Sequence, residues 1–378
     1  MRPDYAGGSL VNLVASIATA RGARARHAPL ADFAIDERVR NIVLLIIDGL
    51  GDNYLARHGA GSELARRRRR SLTSVFPSTT ASAITTSYTG CTPLEHGLTG
   101  WFTYFGAAGC VSAALPFRSR GDMALLTTRG VDAEQIYDAP ALFPSLAVRS
   151  IVVTYRDIVD SHYNRVHCRG AERLAYRNAD EFVAQTEQAV KSGDERKFIY
   201  AYWPHYDAIS HRHGCESREA GAEFALIDAA FGRLLARLAG TETLVIATAD
   251  HGFIDVAPEE SLELPAALAP LLRFPLCGER RIAYCHVHSP DEFAKRAADW
   301  LGERAEVMPS ERLVEDGWLG PGERHARLGE RIGDVALMMR GRYTVKDWVA
   351  GEPRWLHIGN HGGTHADEMS IPLIVEEA

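Results

Sequence analysis

Five short runs rich in β-branched residues constrain the fold of this chain more than any other feature. They span residues 42–47, 151–155, 198–202, 243–248 and 371–375, and each is nearly continuous in apolar residues. Such runs are typical of parallel strands that are covered on both faces. Helical patterns at 180–191 and 217–238 lie between them. Strands alternating with helices predict an α/β fold with a doubly wound, mostly parallel sheet and helices on both faces.

Three of the predicted strands lead directly into acidic residues or histidines. The first ends at Asp48-Gly49, the third leads to Asp207, and the fourth leads to Asp250-His251-Gly252. In open α/β sheets, ligands bind beyond the carboxyl ends of the strands. We therefore expect these side chains to meet at one edge of the sheet and to form the functional site.

Residues 253–344 have a different character from the rest of the chain. They contain a proline-rich stretch at 262–275, predicted strands at 281–288 and 334–339, and a helix that begins after Ser289. This pattern predicts an inserted smaller α/β cap subdomain. The chain would then divide into a first core part (1–252), the cap (253–344) and a C-terminal core part (345–378).

Each candidate metal-binding motif is weak evidence for a metal site by itself, and the complete set is stronger evidence. Asp207 and His211 share a helix face at i,i+4 spacing, but this spacing is common by chance. Asp48 before a glycine could equally be a turn residue, and the His-Gly-Gly segment at 361–363 could be a plain loop. In order along the chain, the set provides two sites rich in oxygen and nitrogen ligands. Such sites suit zinc, or less specifically manganese or iron, and paired metals support phosphoryl displacement.

The same motifs resemble a known family. The segment Asn41-Ile-Val-Leu-Leu-Ile-Ile-Asp48-Gly49, the segment Phe76-Pro-Ser-Thr-Thr80 with Thr89-Gly90, the pair Asp207 and His211, and Asp250-His251-Gly252 look like those of nucleotide pyrophosphatase/phosphodiesterases. That family is a branch of the alkaline phosphatase superfamily, and the chain also resembles phosphonoacetate hydrolase. The resemblance implies an alkaline phosphatase-like fold and a metal-dependent hydrolase of phosphoric esters.

The resemblance also implies a role for individual residues. One metal would be held by Asp48, Thr80, Asp250 and His251, and the other by Asp207, His211 and His361. Thr80 would be the nucleophile and would form a phosphothreonine intermediate. Its register with Thr89-Gly90 favours it over the adjacent Thr79, which stays the alternative. For the last metal ligand, His365 is the alternative to His361.

The loop after Thr80 departs from the family pattern. The family has an asparagine near the nucleophile that holds a phosphoryl oxygen, but no asparagine lies between Thr80 and Trp101. Trp101 and Tyr104 either line a substrate pocket or pack in the core. No arginine follows Thr80 closely, which favours a phosphodiester or pyrophosphate over a dianionic monoester. A phosphonate hydrolase, a phosphomonoesterase and a catalytically silent metal-binding protein remain alternatives.

Composition indicates which classes of partner and which cellular compartment to expect. The net charge of −7 does not suggest binding to a nucleic-acid polymer, and the arginine run at 66–70 is more typical of a solvated helix face than of a polyanion site. No run approaches the length of a membrane span, and the apolar residues near the N-terminus fit a docked amphipathic helix. Six cysteines without a C-x-x-C motif predict free thiols and a cytoplasmic location. The expected partner is a small phosphodiester, nucleotide or phosphonate. The sequence does not indicate an oligomeric state.

Overall fold

The computed structural model describes residues 1–36 and 38–378. The α-helices in these ranges are α1 (Leu10–Ala20), α2 (Asp52–His58), α3 (Glu63–Arg66), α4 (Thr80–Thr89), α5 (Pro93–His96), α6 (His162–His167), α7 (Ala179–Lys191), α8 (His205–His213), α9 (Arg218–Leu238), α10 (Pro290–Leu301), α11 (Glu311–Glu315), α12 (Leu328–Ile332) and α13 (Ala366–Met369). The strands are β1 (Asn41–Ile47), β2 (Arg68–Thr73), β3 (Phe102–Phe105), β4 (Cys110–Ala113), β5 (Arg118–Ser119), β6 (Arg149–Tyr155), β7 (Ala171–Tyr176), β8 (Lys197–Trp203), β9 (Thr243–Thr248), β10 (Ile254–Asp255), β11 (Ser261–Glu263), β12 (Cys277–Gly278), β13 (Ile282–Cys285), β14 (Ala305–Pro309), β15 (Val335–Met339), β16 (Thr344–Lys346), β17 (Gly359–Asn360) and β18 (Ser370–Glu377).

The central sheet has the order β2-β18-β9-β1-β8-β6-β7. Strand β1 lies at its middle and pairs in parallel with both β8 and β9, so the three strands end at the same edge. All residues of β1, β8 and β9 are buried, which explains their continuous apolar runs. The predicted α/β class with a mostly parallel sheet is therefore confirmed.

Helices cover both faces of this sheet. On β8, the hydroxyl of Tyr200 lies 2.8 Å from that of Ser87 in α4, while the indole N–H of Trp203 donates to Glu223 in α9 at 2.7 Å. Tyr200 and Trp203 are an odd number of residues apart, so their side chains point to opposite faces. Helices α4 and α9 therefore lie on opposite sides of the sheet.

The last predicted strand is present but runs against the expected direction. Strand β18 is antiparallel to both β9 and β2. The segment before it, including β17 and α13, already lies at the carboxyl edge of the sheet, where Gly252 donates to the carbonyl of Glu368 at 2.8 Å. Because the chain enters β18 from that edge without a crossover helix, it runs back through the sheet.

A second sheet carries the predicted cap elements. Its order is β14-β15-β13-β12-β3-β4-β5, and the expected strands at 281–288 and 334–339 correspond to β13 and β15. Helix α10 begins after Ser289, as predicted. Strands β3 to β5, which follow the loop after Thr80, also join this sheet. The pairing of Gly278 with Phe102 brings residues 277–282 beside that loop, while the division at 253 and 344 stays a prediction.

The arginine run at 66–70 is predicted on a solvated helix face; Arg66, Arg68 and Arg69 are exposed, but the prediction of a helix is wrong beyond Arg66. Helix α3 ends at Arg66, and β2, an edge strand of the central sheet, begins at Arg68. Arg66 and Arg67 pair with Glu63, and Arg68 pairs with Asp52. Charged side chains on an edge strand discourage pairing with another chain.

Two expectations from composition can be compared with the structure. All six cysteines are free thiols, and five of them are buried. Among the described residues, no helix combines the length and the apolar character that crossing a membrane requires.

Candidate active site

A first group of metal-ligating side chains forms where β1 and β9 end. Asp48 follows β1, and Asp250 and His251 follow β9, so parallel pairing of the two strands brings all three together. Their ligand atoms lie within 4.8 Å of one another, and all three residues are buried. The Nε2 of His251 is 3.3 Å from Asp48 Oδ1 and 3.5 Å from Asp250 Oδ2.

Thr80 lies against this first group. It is the first residue of α4, and Thr79 is the N-cap. The Oγ1 of Thr80 is 3.1 Å from His251 Nε2 and 3.4 Å from Asp48 Oδ1, and the residue is only 7% exposed. Thr79 differs, because its hydroxyl donates to Glu279 Oε1 at 2.6 Å. The geometry thus distinguishes two threonines that the sequence separated only by register.

A second group combines residues from two distant segments. Asp207 and His211 lie on one face of α8 at the predicted i,i+4 spacing, and His361 follows β17. The Oδ1 of Asp207 is 3.4 Å from His211 Nε2 and 3.6 Å from His361 Nε2. It is also 3.9 Å from His251 Nε2 of the first group. The two groups are therefore neighbours, as in a two-metal centre.

The chemistry of these donors fits divalent cations. His211 Nδ1 lies 2.9 Å from the carbonyl of Gly359, and His361 Nδ1 lies 3.2 Å from that of Ser78, so each Nδ1 carries the proton. Both Nε2 atoms are then lone-pair acceptors, yet they face each other at 3.1 Å. Asp207 Oδ1 and Asp250 Oδ2 are buried with no hydrogen-bond partner among the described residues. Buried acceptors without donors are costly, and a cation in each group would satisfy them.

The electrostatics of the two groups follow from burial. Desolvation raises the pKa of Asp48 to about 6 and that of Asp250 to about 7. Burial, reinforced by the charges of Asp48 and Asp250, raises the pKa of Asp207. Desolvation lowers the pKa of His211 to about 3, and also lowers that of His361. Neutral imidazoles beside carboxyl groups are the protonation state in which histidine binds metal.

Neither of two further histidines belongs to these groups. His365 is the N-cap of α13, and its Nδ1 accepts from the amide of Asp367 at 3.1 Å. The Nδ1 of His96 accepts from the amide of Leu98 at 3.1 Å and supports the loop after α4 and α5. The structure therefore brings His361 rather than His365 to the second group.

A cavity of about 320 Å³ opens onto the second group and onto Thr80. Its core wall includes Thr80, Asp207, His211 and His361, and Trp101 also lines it. Tyr104, expected here with Trp101, does not line the cavity, because its ring stacks on Phe274 at 4.1 Å in the cap. It lies two residues beyond Phe102 on β3, and that distance of about 7 Å carries it away from the site.

The cavity is also lined by charged residues that the sequence motifs did not reveal. Two belong to the predicted cap and three lie outside its bounds, and they are, respectively, Glu279 and Arg280, and Arg120, Lys346 and Asp347. The Oε1 of Glu279 accepts from the Thr79 hydroxyl and from the amide of Trp101, each at 2.6 Å. Glu279 thus ties the start of α4 to the loop that lacks the family's asparagine. No spacing pattern marks these residues, because they converge only when β12 pairs with β3.

Comparisons with known proteins agree with this architecture. The family model for type I phosphodiesterase/nucleotide pyrophosphatase matches residues 42–365. A search of curated protein sequences found no match. Murine ectonucleotide pyrophosphatase/phosphodiesterase 5, solved as an inactive variant in complex with AMP, is 16% identical, with a TM-score of 0.66 over 88% of this chain and 87% of that one. Its human counterpart is 17% identical, with a TM-score of 0.65 over 89% and 87%.

A third similar structure comes from a different hydrolase. Phosphonoacetate hydrolase from Sinorhizobium meliloti, in complex with phosphonoformate, is 17% identical, with a TM-score of 0.64 over 88% of this chain and 89% of that one. At these identities the likeness establishes the fold, and the family model establishes the family. The chain belongs to the type I phosphodiesterase/nucleotide pyrophosphatase family of the alkaline phosphatase superfamily and is a hydrolase of phosphoric esters.

Proposed function

We propose that the protein is a two-metal phosphodiesterase or nucleotide pyrophosphatase that uses Thr80 as its nucleophile. The observation that carries this proposal is the pair of imidazole Nε2 atoms of His211 and His361, which face each other at 3.1 Å without a donor between them. Together with Asp207, and with the Asp48 group beside Thr80, they provide two cation sites next to one hydroxyl group.

The residues of the chain would act on the substrate as follows. The Thr80 oxygen attacks phosphorus, the bond to the leaving group breaks on the opposite side, the hydroxyl proton ends on the leaving group, and a phosphothreonine forms. Water then attacks this ester and regenerates the hydroxyl, with inversion at each step. The ten-residue helix α4 begins at Thr80, so its N-terminus favours the negative charge of the phosphoryl group. When bound, the two cations would lower the pKa of the hydroxyl and of water and neutralise phosphoryl charge.

A single sequence feature supports the preference for a diester or pyrophosphate over a monoester. The absence of an arginine after Thr80 favours these substrates, but Arg280 of the predicted cap and Lys346 just beyond it line the same cavity. Charge for a more anionic substrate is therefore available from outside the nucleophile loop. Hydrolysis of a phosphonate is the second candidate, and the same two cations support it.

The test measures the turnover of p-nitrophenyl esters by purified protein that has been loaded with zinc, manganese or iron. We expect turnover of a phenyl or nucleotide diester and weaker turnover of the monoester. Phosphonoacetate tests the second candidate. Turnover of none of these by metal-loaded protein would contradict the proposal. Metal analysis of protein purified without added metal would identify the native ion, which we propose is zinc.

We further propose a small-molecule substrate, no nucleic-acid polymer partner, no membrane association and a cytoplasmic location. The support is the net charge of −7 and the six free thiols. Fractionation of the source cells tests the location, and recovery in an exported or membrane fraction would contradict it.

A further inference from the structure

Three cationic side chains line the cavity, together with the carboxylates of Glu279 and Asp347. Arg120 comes from the segment after β5, Arg280 from the turn between β12 and β13, and Lys346 from the end of β16. The amide of Val345 donates to the carbonyl of Arg280 at 2.8 Å, so Arg280 and Lys346 project from adjacent backbone segments. They face the same space as Thr80 and the second metal-ligating group.

Arg120 is already neutralised by partners within the protein. Its guanidinium lies 2.7 Å from Asp347 and 2.7 Å from Glu352, and its side chain is 3% exposed. It also lies over the ring of Phe102, with 4.6 Å to the ring centroid. Arg120 is therefore a structural cation that holds the wall together.

Arg280 has no such partner, and Lys346 has only a longer ion pair that it shares with Arg120. Among the described residues, Arg280 has no carboxylate within salt-bridge distance, and its guanidinium donates to the carbonyl of Trp355 at 3.3 Å. The nearest carboxylate to Lys346 is Glu352 at 3.8 Å, which already binds Arg120. Desolvation lowers the pKa of Arg280 to about 10 and that of Lys346 to about 8. A partly desolvated guanidinium without an ion-pair partner, beside an ammonium that shares one carboxylate with Arg120, is unfavourable unless a ligand supplies a further anion.

We propose that Arg280 and Lys346 form a subsite for a second anionic group of the substrate, a carboxylate or a phosphate, carried near the scissile phosphoryl group. This inference rests on the proposed function, because the phosphoryl group itself would occupy the metal sites. A guanidinium binds planar carboxylates and phosphates with two parallel hydrogen bonds, and an ammonium adds a point charge. The cavity of about 320 Å³ is at the small end for ligand sites, which favours a compact bifunctional substrate.

The experiment measures binding of three phosphonates to the zinc-loaded full chain by calorimetry. Methylphosphonate has no second anion, phosphonoacetate has a carboxylate, and methylenediphosphonate has a second phosphonate that stands in for phosphate. The test variant combines Arg280→Gln with Lys346→Met. The matched control is Arg340→Gln, which removes an exposed cap cation that does not line the cavity. The charge-conserving variant Arg280→Lys and circular dichroism spectra check that the cap is folded.

We expect the wild type to bind at least one bifunctional ligand about tenfold or more tightly than methylphosphonate. That preference should fall to below about threefold in the double variant and persist in both control variants. The bifunctional ligand that the wild type binds more tightly than methylphosphonate identifies the second anion as a carboxylate or a phosphate. Equal binding of all three ligands by the wild type would overturn the proposal, as would a preference that survives the double substitution.

Two further outcomes show whether Arg280 and Lys346 bind a second anionic group or the scissile phosphoryl group, and whether this subsite depends on the proposed function. If methylphosphonate binding falls as much as that of the bifunctional ligands, the two cations hold the scissile group instead and the proposal is wrong. If no diester is hydrolysed but the ligand preference and its loss are observed, the proposed function fails and the subsite stands.

Discussion

Protons should compete with the metal for the group formed by Asp48, Asp250 and His251. Burial raises the pKa of Asp48 to about 6 and that of Asp250 to about 7 in the metal-free protein. Below these values each carboxyl group holds a proton that a cation must displace, so metal affinity falls as the pH falls. At pH 5 the penalty is about tenfold for Asp48 and about a hundredfold for Asp250. The apparent dissociation constant should therefore rise about a thousandfold between pH 8 and pH 5, or about 4 kcal/mol.

The assay titrates zinc into metal-free protein between pH 5 and pH 8 against a competing chelator of known pH dependence. The variant His361→Ala weakens the second group, so that the first is observed. Calorimetry in buffers of different ionisation enthalpy counts released protons, and we expect between one and two at pH 6 and almost none at pH 8. The matched variant Asp250→Asn should lose about one proton from this count. An affinity that changes less than about tenfold over this pH range would show that the two carboxyl groups do not hold these protons.

Three other predictions concern single side chains. Thr80→Ala should lower kcat for a p-nitrophenyl diester by about a thousandfold or more with metal content largely kept; retained turnover would move the nucleophile to Thr79 or to water. Glu279→Ala should leave the Trp101 amide and the Thr79 hydroxyl without their acceptor and lower the free energy of unfolding by about 1–3 kcal/mol in urea titrations. Glu279→Gln keeps an acceptor and should lose less, and equal losses would contradict this role. Glu368→Ala should lower the free energy of unfolding by about 3–5 kcal/mol in the same titrations, because it leaves the buried Arg281, whose guanidinium lies 3.0 Å away, without its carboxylate partner. A loss below about 1 kcal/mol would contradict a stabilising role of this pair.

Local patterns predicted the parts of the site that lie close to strand ends. The apolar runs of β1, β8 and β9 are buried on both faces, so their composition alone indicates parallel strands. Because such strands end at one edge, Asp48, Asp207 and Asp250 had to lie near one another. Their side-chain distances of 3.3 to 3.9 Å to the histidines agree with that expectation, while their role as metal ligands stays a prediction.

Local patterns failed where direction or pairing depends on distant contacts. The run of β18 looks like any other buried strand, but its direction follows from the position of the segment before it. The arginines at 66–70 have the composition of a helix face, yet residues from 68 onward pair with β18. Tyr104 has the character of a pocket residue, but its position on β3 places it against Phe274 in the cap.

The fold class, the family and the order of the candidate ligands could be predicted from the sequence, because each depends on short runs of neighbouring residues. Which other residues face the cavity follows only from the tertiary structure. Glu279 and Arg280 lie some 200 positions from Thr80, and they enter the cavity only because Gly278 pairs with Phe102. Pairing between distant strands depends on how whole elements pack, which no spacing of residues along the chain expresses. For that reason the metal-ligating edge was predictable, and the charged wall opposite it was not.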